Sequence, residues 1–218
     1  MVKHNILATG SKANAVIYHN RIMIDIGVPY ALVKPYVKDI SLILLTHEHN
    51  DHLNIKTLKT LQFERPSVRV GCGGFLAEKL TENGIKNIDV YDTGQWYSYH
   101  TSSFISLVII PVLLYHDVPN FGYRILTDDK IKVFHATDTA HLQGITAKNY
   151  DLYALECNYD ETHVWDVIQE KEVRGEYAHQ RGAMNTHLSI QQAQNFILDN
   201  VTQNHKYQFI QLHQSSEF

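Results

Sequence analysis

Within the six residues His47-Glu48-His49-Asn50-Asp51-His52 lie three imidazoles and two carboxylates. These are the donors that borderline divalent ions such as zinc accept. The apolar run Leu42-Ile43-Leu44-Leu45 comes just before, with Thr46 between. It reads as a short buried strand, which makes the cluster a loop at a strand's end. In an extended segment alternate side chains point the same way. His47 and His49 can therefore share one ion, while Asp51 and His52, further along, can turn to a second.

The same arrangement recurs elsewhere. Val112-Leu113-Leu114-Tyr115 runs into His116, 131–134 runs on through His135-Ala136-Thr137 to Asp138, and Tyr207-Gln208-Phe209-Ile210-Gln211-Leu212 ends in His213. Strand ends on one edge of a sandwich converge in space, so distant segments can build one site. Met23-Ile24-Asp25-Ile26-Gly27 sets a lone carboxylate in an apolar strand, which is costly unless it is hydrogen-bonded.

The pattern His-x-His-x-Asp-His resembles the signature of the metallo-β-lactamase fold superfamily, and nearly the whole chain follows it. The closest pattern is that of the YycJ/WalJ-like metallo-hydrolases, with tRNase Z more distant, both nuclease-type phosphodiesterases. The turn Gly10-Ser11-Lys12-Ala13-Asn14 is similar to that group's Gly-Ser-x-Gly-Asn, with Ala13 in place of the second glycine. His116-Asp117, with Gly122-Tyr123 following, and Ala136-Thr137-Asp138-Thr139 also match. Glu156-Cys157-Asn158-Tyr159-Asp160 resembles Glu-Ser-Asn-His-Asp, departing at Cys157 and Tyr159.

The resemblance implies an α/β fold: a four-layer αββα metallo-β-lactamase sandwich, two mixed sheets flanked by helices, formed by 1–218 as a single hydrolase domain. It implies two divalent metal ions, zinc in the first place and manganese in the second. His47, His49 and His116 take one ion, Asp51, His52 and His213 the other, and Asp138 bridges them. Asp51 also orients the nucleophile. Asp25 supports the metal loop from behind by hydrogen bonds. His187, in Thr186-His187-Leu188-Ser189, pairs with Glu156 to protonate the leaving group. A set of seven ligands without cysteine is that of the phosphodiesterase branch, which the glyoxalase-type thioester hydrolases share.

The remaining elements are those such a site needs. Strands are expected over 3–9, 15–18, 22–26, 68–72, 88–91, 95–100, 104–110 and 151–155. A helix is expected over 54–63, with Ile55, Leu58 and Leu61 on one face, and another over 75–82, stopped by Asn83-Gly84. A third helix covers 162–173. Ser189, with Gln192 three residues on, starts a fourth over 190–200. Over 171–181 periodicity is lost and Lys171, Arg174, His179 and Arg181 gather. They read as a solvated loop or as a phosphate-facing flap within 172–185.

Hydrophobic residues make up 44% of the 218 and charged residues 19%, an ordinary balance for a globular protein. No apolar run is long enough to span a bilayer, and the first residues lack the features of a signal peptide. Cys72 and Cys157 have no motif around them and read as reduced, buried thiols of a cytoplasmic protein. The net charge of −4 speaks against broad electrostatic capture of duplex DNA. Three functions stay open: a phosphodiesterase acting on nucleic acid as exo- or endonuclease; a phosphodiesterase of cyclic or other small nucleotides; and a metal-binding protein with a redox or structural role. The partners are a nucleic acid or nucleotide substrate, no membrane, and a second copy of the chain in a homodimer.

Overall fold

The computed structural model describes residues 1–101, 104–178 and 180–214. The first sheet holds β1 (His4–Ala8), β2 (Ala15–Tyr18), β3 (Ile22–Ile24), β4 (Leu42–Leu44), β5 (Arg69–Gly73) and β6 (Ile88–Tyr91), in that order. β1, β2 and β3 pair antiparallel, and β3 to β6 run parallel. The second sheet holds β7 (Tyr97–Thr101), β8 (Phe104–Leu114), β9 (Asn120–Thr127), β10 (Lys132–Ala136), β11 (Leu152–Glu156) and β12 (Gln208–Leu212), laid out in the order β12-β11-β10-β9-β8-β7. Here β7 to β10 pair antiparallel, and β10, β11 and β12 run parallel. Both sheets are thus mixed.

Apolar residues divide this molecule into layers. Val16, Tyr18, Ile24 and Leu44 of the first sheet meet Ile109, Tyr123, Ile125 and Leu152 of the second between the sheets. The opposite face of the first sheet, with Ile17, Met23, Ile43 and Val70, packs on α1 (Tyr30–Val33), α2 (Ile55–Glu64) and α3 (Gly74–Glu82). On the outer face of the second sheet, Phe134, Tyr153 and Leu155 lie in one cluster with Ala193, Phe196 and Ile197 of the last helix, Ile190–Asn200. Strands buried on both faces are continuously apolar rather than alternating, which is why Leu42-Ile43-Leu44-Leu45 is legible as a strand but not as a face. The order is helix, sheet, sheet, helix: the αββα sandwich.

The expected helices at 54–63 and 190–200 form within a residue. Asn54 caps α2 by accepting from Thr57 N at 3.0 Å. Ser189 and Gln192 cap one another reciprocally at the start of the last helix. Two of the helices between them are α4 (Val164–Val173) and the short α5 (Gln180–Ala183), so the last helix is α6. The strand expected over 22–26 stops at Ile24, because Asp25 takes a left-handed φ of 58°. No helix among the described residues is long and apolar enough to cross a membrane. Cys72 and Cys157 are free and buried, and burial pushes each thiol up to about 12.

Strand direction decides what the fold presents. β3 and β4 run parallel, as do β10, β11 and β12, and β8 runs with β10 because both are antiparallel to β9. The residues just after these strands, or closing them, are Asp25, His47, His116, Asp138, Glu156 and His213. Bonds between the sheets hold their ends in register. Phe121 N donates to Thr46 O at 3.0 Å, and Tyr123 Oη donates to Leu45 O at 2.5 Å.

Gly27 marks the tightest approach. A Cβ there would stand 1.7 Å from the carbonyl oxygen of Asp51. Gly27→Ala must therefore displace the 47–52 loop or its own strand end. Overpacking of this kind costs about 3 kcal/mol, expected as a lower urea midpoint with an unchanged slope.

Candidate metal centre

Asp25 is the support under the loop. It is 1% exposed and accepts from Thr46 N at 2.9 Å, from Thr46 Oγ1 at 2.9 and 3.0 Å, and from His52 Nδ1 at 2.6 Å. Burial pushes its pKa up, and His52 and Thr46 pull against that. Because His52 donates through Nδ1 to Asp25, its Nε2 is the atom turned to the centre, 3.0 Å from Asp138 Oδ2 and 3.3 Å from Asp51 Oδ2. His47 Nδ1 lies 3.0 Å from Thr46 Oγ1, which leaves Nε2 facing Nδ1 of His49 at 3.1 Å. His116 Nδ1 donates to the carbonyl of Thr186 at 3.2 Å and so turns Nε2 inward.

These atoms gather in overlapping groups, with the donor atoms of each group within 4.8 Å of one another. His47, His49 and His116 form one; Asp51, His52 and His213 another; Asp138 joins His47 and His52 in a third and Glu156, His187 and His213 in a fourth. The seven residues expected as ligands are therefore brought together, with Asp138 in two of the groups. His213 Nε2 is buried without a hydrogen-bond partner among the described residues, 3.4 Å from Asp138 Oδ1 and 3.8 Å from Asp51 Oδ2. An orphaned imidazole nitrogen beside two carboxylates, with two more ring nitrogens facing each other, is a donor set that fits divalent cations.

The electrostatics point the same way. Burial, with His52 beside it, pushes the His47 imidazole down to about 2, so it is held neutral as a ligand must be. Burial also lowers His116. At His213 burial opposes the charge, but Asp51, Glu156 and Asp138 outweigh it and push the group up to about 10. His52 likewise rises well above its usual value, Asp138 and Asp25 overcoming its burial. Asp51 and Asp138 are held below the usual carboxylate range by these same imidazoles, against burial. The carboxylates thus hold positive charge in the centre, as protons or as metal.

Beside this centre lies Glu156, wholly buried. Its Oε2 accepts from Thr139 N at 2.9 Å and Leu188 N at 3.1 Å. Its Oε1 is 2.6 Å from His187 Nδ1 and 3.1 Å from His213 Nδ1. One carboxylate thus fixes both rings, which stack with centroids 5.2 Å apart. His187 rises above its usual value: burial opposes its charge, while Glu156 and Asp138 favour it.

The cationic stretch is arranged differently from a free stripe. Arg174 reaches Glu170 at 3.4 Å. Arg181 pairs with Glu172 at 2.7 Å and stands 5.8 Å over the Trp165 ring. Lys171 lies in the last turn of α4, and His179 lies outside the described residues. The stretch also meets the centre through its far end, where Thr186 and His187 follow α5.

Three supports escape a reading of the sequence. Thr46 binds Asp25 and both flanking histidines; its place at the strand end, next to the cluster, was the available signal. Asn14 Nδ2 lies 3.2 Å from Asp51 Oδ2 and 2.8 Å from His52 Nε2, and the available signal was its place as the closing Asn of the Gly10–Asn14 turn that matches the family pattern. The Thr186 carbonyl orients His116. Asp117 instead meets Nε2 of His116 at 3.0 Å. A backbone acceptor leaves no trace in side-chain pattern.

Comparison with known proteins gives concordant likenesses. A family model described as beta-lactamase superfamily domain matches residues 21–199. An exodeoxyribonuclease WalJ from Streptococcus pneumoniae is 27% identical over 178 residues, 72% of this chain. The match spans 63% of that relative's length. Among solved structures, human tRNase Z, short form, superposes with a TM-score of 0.64 at 15% identity, covering 99% of this chain and 93% of that one. The metallo-beta-lactamase fold protein YhfI from Bacillus subtilis gives 0.64 at 14% identity and 97% of each chain. At these identities the structural likenesses speak to the fold alone.

Metal should compete with protons here. His213 without metal is protonated up to about 10, so a cation must displace that proton. Affinity for zinc or manganese is expected to rise with pH between 6 and 9, by about tenfold per pH unit for each proton released. Calorimetric titration in buffers of different ionisation enthalpy counts the protons; none released would contradict this picture of the centre.

Proposed function

The chain belongs to the beta-lactamase superfamily, and from that membership we propose that it is a metal-dependent phosphodiesterase acting on nucleic acid. In this reading 1–218 form one hydrolase domain. His47, His49 and His116 hold one divalent ion and Asp51, His52 and His213 a second, with Asp138 between them. Zinc suits the nitrogen-rich donor set, and manganese is the second candidate. When bound, such a pair supplies Lewis acidity at a phosphoryl oxygen and lowers the pKa of a water towards about 7.

The observation that carries the phosphodiester reading is the Glu156–His187 pair at 2.6 Å. A leaving alkoxide needs a proton, which calls for a positioned acid. Glu156 accepts from Nδ1 of His187, so the ring's Nε2 is the atom left to hold and deliver that proton. The upward shift of His187 keeps it protonated nearer neutral pH than a free imidazole. In this reading Asp51, whose carboxylate is partly exposed, also orients the attacking water. The name of the curated relative, exodeoxyribonuclease WalJ, supports nucleic acid as the substrate class.

A smaller substrate is favoured by a separate observation. Arg174 and Arg181 are each taken up by a glutamate, which removes them from a stripe for polymer phosphates. Salt separates the two readings: cleavage of a polymer should fall steeply with ionic strength, cleavage of a cyclic or small nucleotide little.

Loaded with zinc or manganese, the protein is expected to turn over bis(p-nitrophenyl) phosphate and not a thioester. Asp51→Ala should abolish that activity. Turnover of the thioester alone would replace this reading with a glyoxalase-type one.

His187→Ala makes a sharper case. p-Nitrophenolate leaves without help, whereas a ribose alkoxide does not. The variant should lose about 10²–10⁴-fold on an alkyl-ester or nucleotide substrate and far less on the p-nitrophenyl diester. Because the acid form is the active one, the alkaline limb of the pH profile should follow the raised pKa of His187, turnover of the nucleotide substrate falling as pH rises through it. Equal losses on both substrates would remove His187 from the acid role.

A further inference from the structure

Tyr115 precedes the inward-turned His116, yet its own side chain faces out. It is 48% exposed, as is Leu113 two residues earlier, while Leu114 between them and Val112 are buried. This alternation puts Leu113 and Tyr115 on one outward face. The Tyr115 ring does not hang free. It lies against the His141 ring with centroids 4.1 Å apart and planes 35° from parallel.

The backbone behind both rings is tied to the loops that carry Asp138 and His116. Tyr115 N donates to Thr139 Oγ1 at 3.0 Å, and Ala140 N donates to Tyr115 O at 2.7 Å. Thr139 Oγ1 donates in turn to the carbonyl of His141 at 3.0 Å. Gln143 N donates to His141 Nδ1 at 3.4 Å. A half-exposed aromatic pair thus stands on a hydrogen-bonded turn, Tyr115 one residue from His116 and His141 three from Asp138.

We propose that Tyr115, backed by His141, is a stacking platform for an unpaired nucleobase next to the phosphodiester being cleaved. This rests on the phosphodiesterase reading and deepens it: the substrate class becomes single-stranded nucleic acid, or the frayed end of a duplex. A base inside a duplex has both faces covered and cannot stack there. Aromatic stacking is tolerant of base identity because every base has a π-face, so the platform favours cleavage of many sequences.

The test walks 2-aminopurine through each position of a short single strand bound to metal-loaded His187→Ala protein, in which cleavage is slowed. Stacking is expected to quench the fluorescence at one position. The quench should persist in Tyr115→Phe and vanish in Tyr115→Ala, each added to that background. In the otherwise unaltered protein, an abasic site at that position should lower kcat/KM on the order of tenfold. Tyr115→Ala should erase the difference between intact and abasic strands, chiefly through KM.

Equal loss on intact and abasic strands would show that Tyr115 acts only by placing His116, and would overturn the proposal. So would the absence of a quenched position, or a quench unchanged in Tyr115→Ala, while cleavage of the strand persists. If the unaltered metal-loaded protein cleaves neither strand nor any simple diester, the phosphodiesterase reading itself falls and the platform with it.

Discussion

Two carboxylate oxygens of Asp25 set the geometry of the centre. Buried and inaccessible to water, they need donors, and the fold supplies Thr46 N, Thr46 Oγ1 and His52 Nδ1. Each donor is also a constraint on a neighbour. The bond to Thr46 N ties the end of β4 to the end of β3. The Thr46 hydroxyl, spent as a donor on Asp25, has its lone pairs left for His47 Nδ1. The bond to His52 decides which of its nitrogens faces the centre. A hydrogen-bonded partner on the far nitrogen fixes the tautomer and raises the basicity of the near one. Loss of this one group would leave a buried hydroxyl, an amide and an imidazole without their acceptor.

A second level of order comes from strand direction. Parallel strands share an edge where their C-terminal ends meet, so groups from different parts of the chain need no long loops to come together. Asp138, Glu156 and His213 follow or close three adjacent parallel strands, β10, β11 and β12. The resulting density of carboxylates is stable only with matching positive charge. That requirement ties the Glu156–His187 pair to the candidate metal ligands: Glu156 serves His187 and His213 with the same oxygen. Chemistry on one ring is therefore felt by the other.

What the sequence made legible was local. The strand ends carrying His47, His116, Asp138 and His213 were readable because an apolar run stops at a polar group, and that is decided within a few residues. The cap Ser189 was readable for the same reason. The pairing of Arg181 with Glu172 across nine residues was not, since it depends on a turn that packing against Trp165 shapes. Nor was the Thr186 carbonyl, which has no side-chain signature. The mixed order of the two sheets came from resemblance, since Val, Ile and Leu on a doubly buried strand do not say which neighbour they pair with.

Asp25, Asp138 and His213 share one more property: each has φ between 50° and 58°. This left-handed region suits glycine and is uphill for other residues, by about 1–3 kcal/mol in general and least for Asp, Asn and His. Turning the backbone there is what aims each side chain back into the centre instead of along its strand. Glycine at these places would relieve the backbone, but at Asp25 it would strip Thr46 and His52 of their acceptor, and removing one partner from a buried charged network costs about 3–5 kcal/mol. The bonds made possible by the turned backbone outweigh its strain. Directed evolution for heat resistance would therefore keep these residues for the sake of the fold, and their survival in a hardened variant would say nothing about turnover.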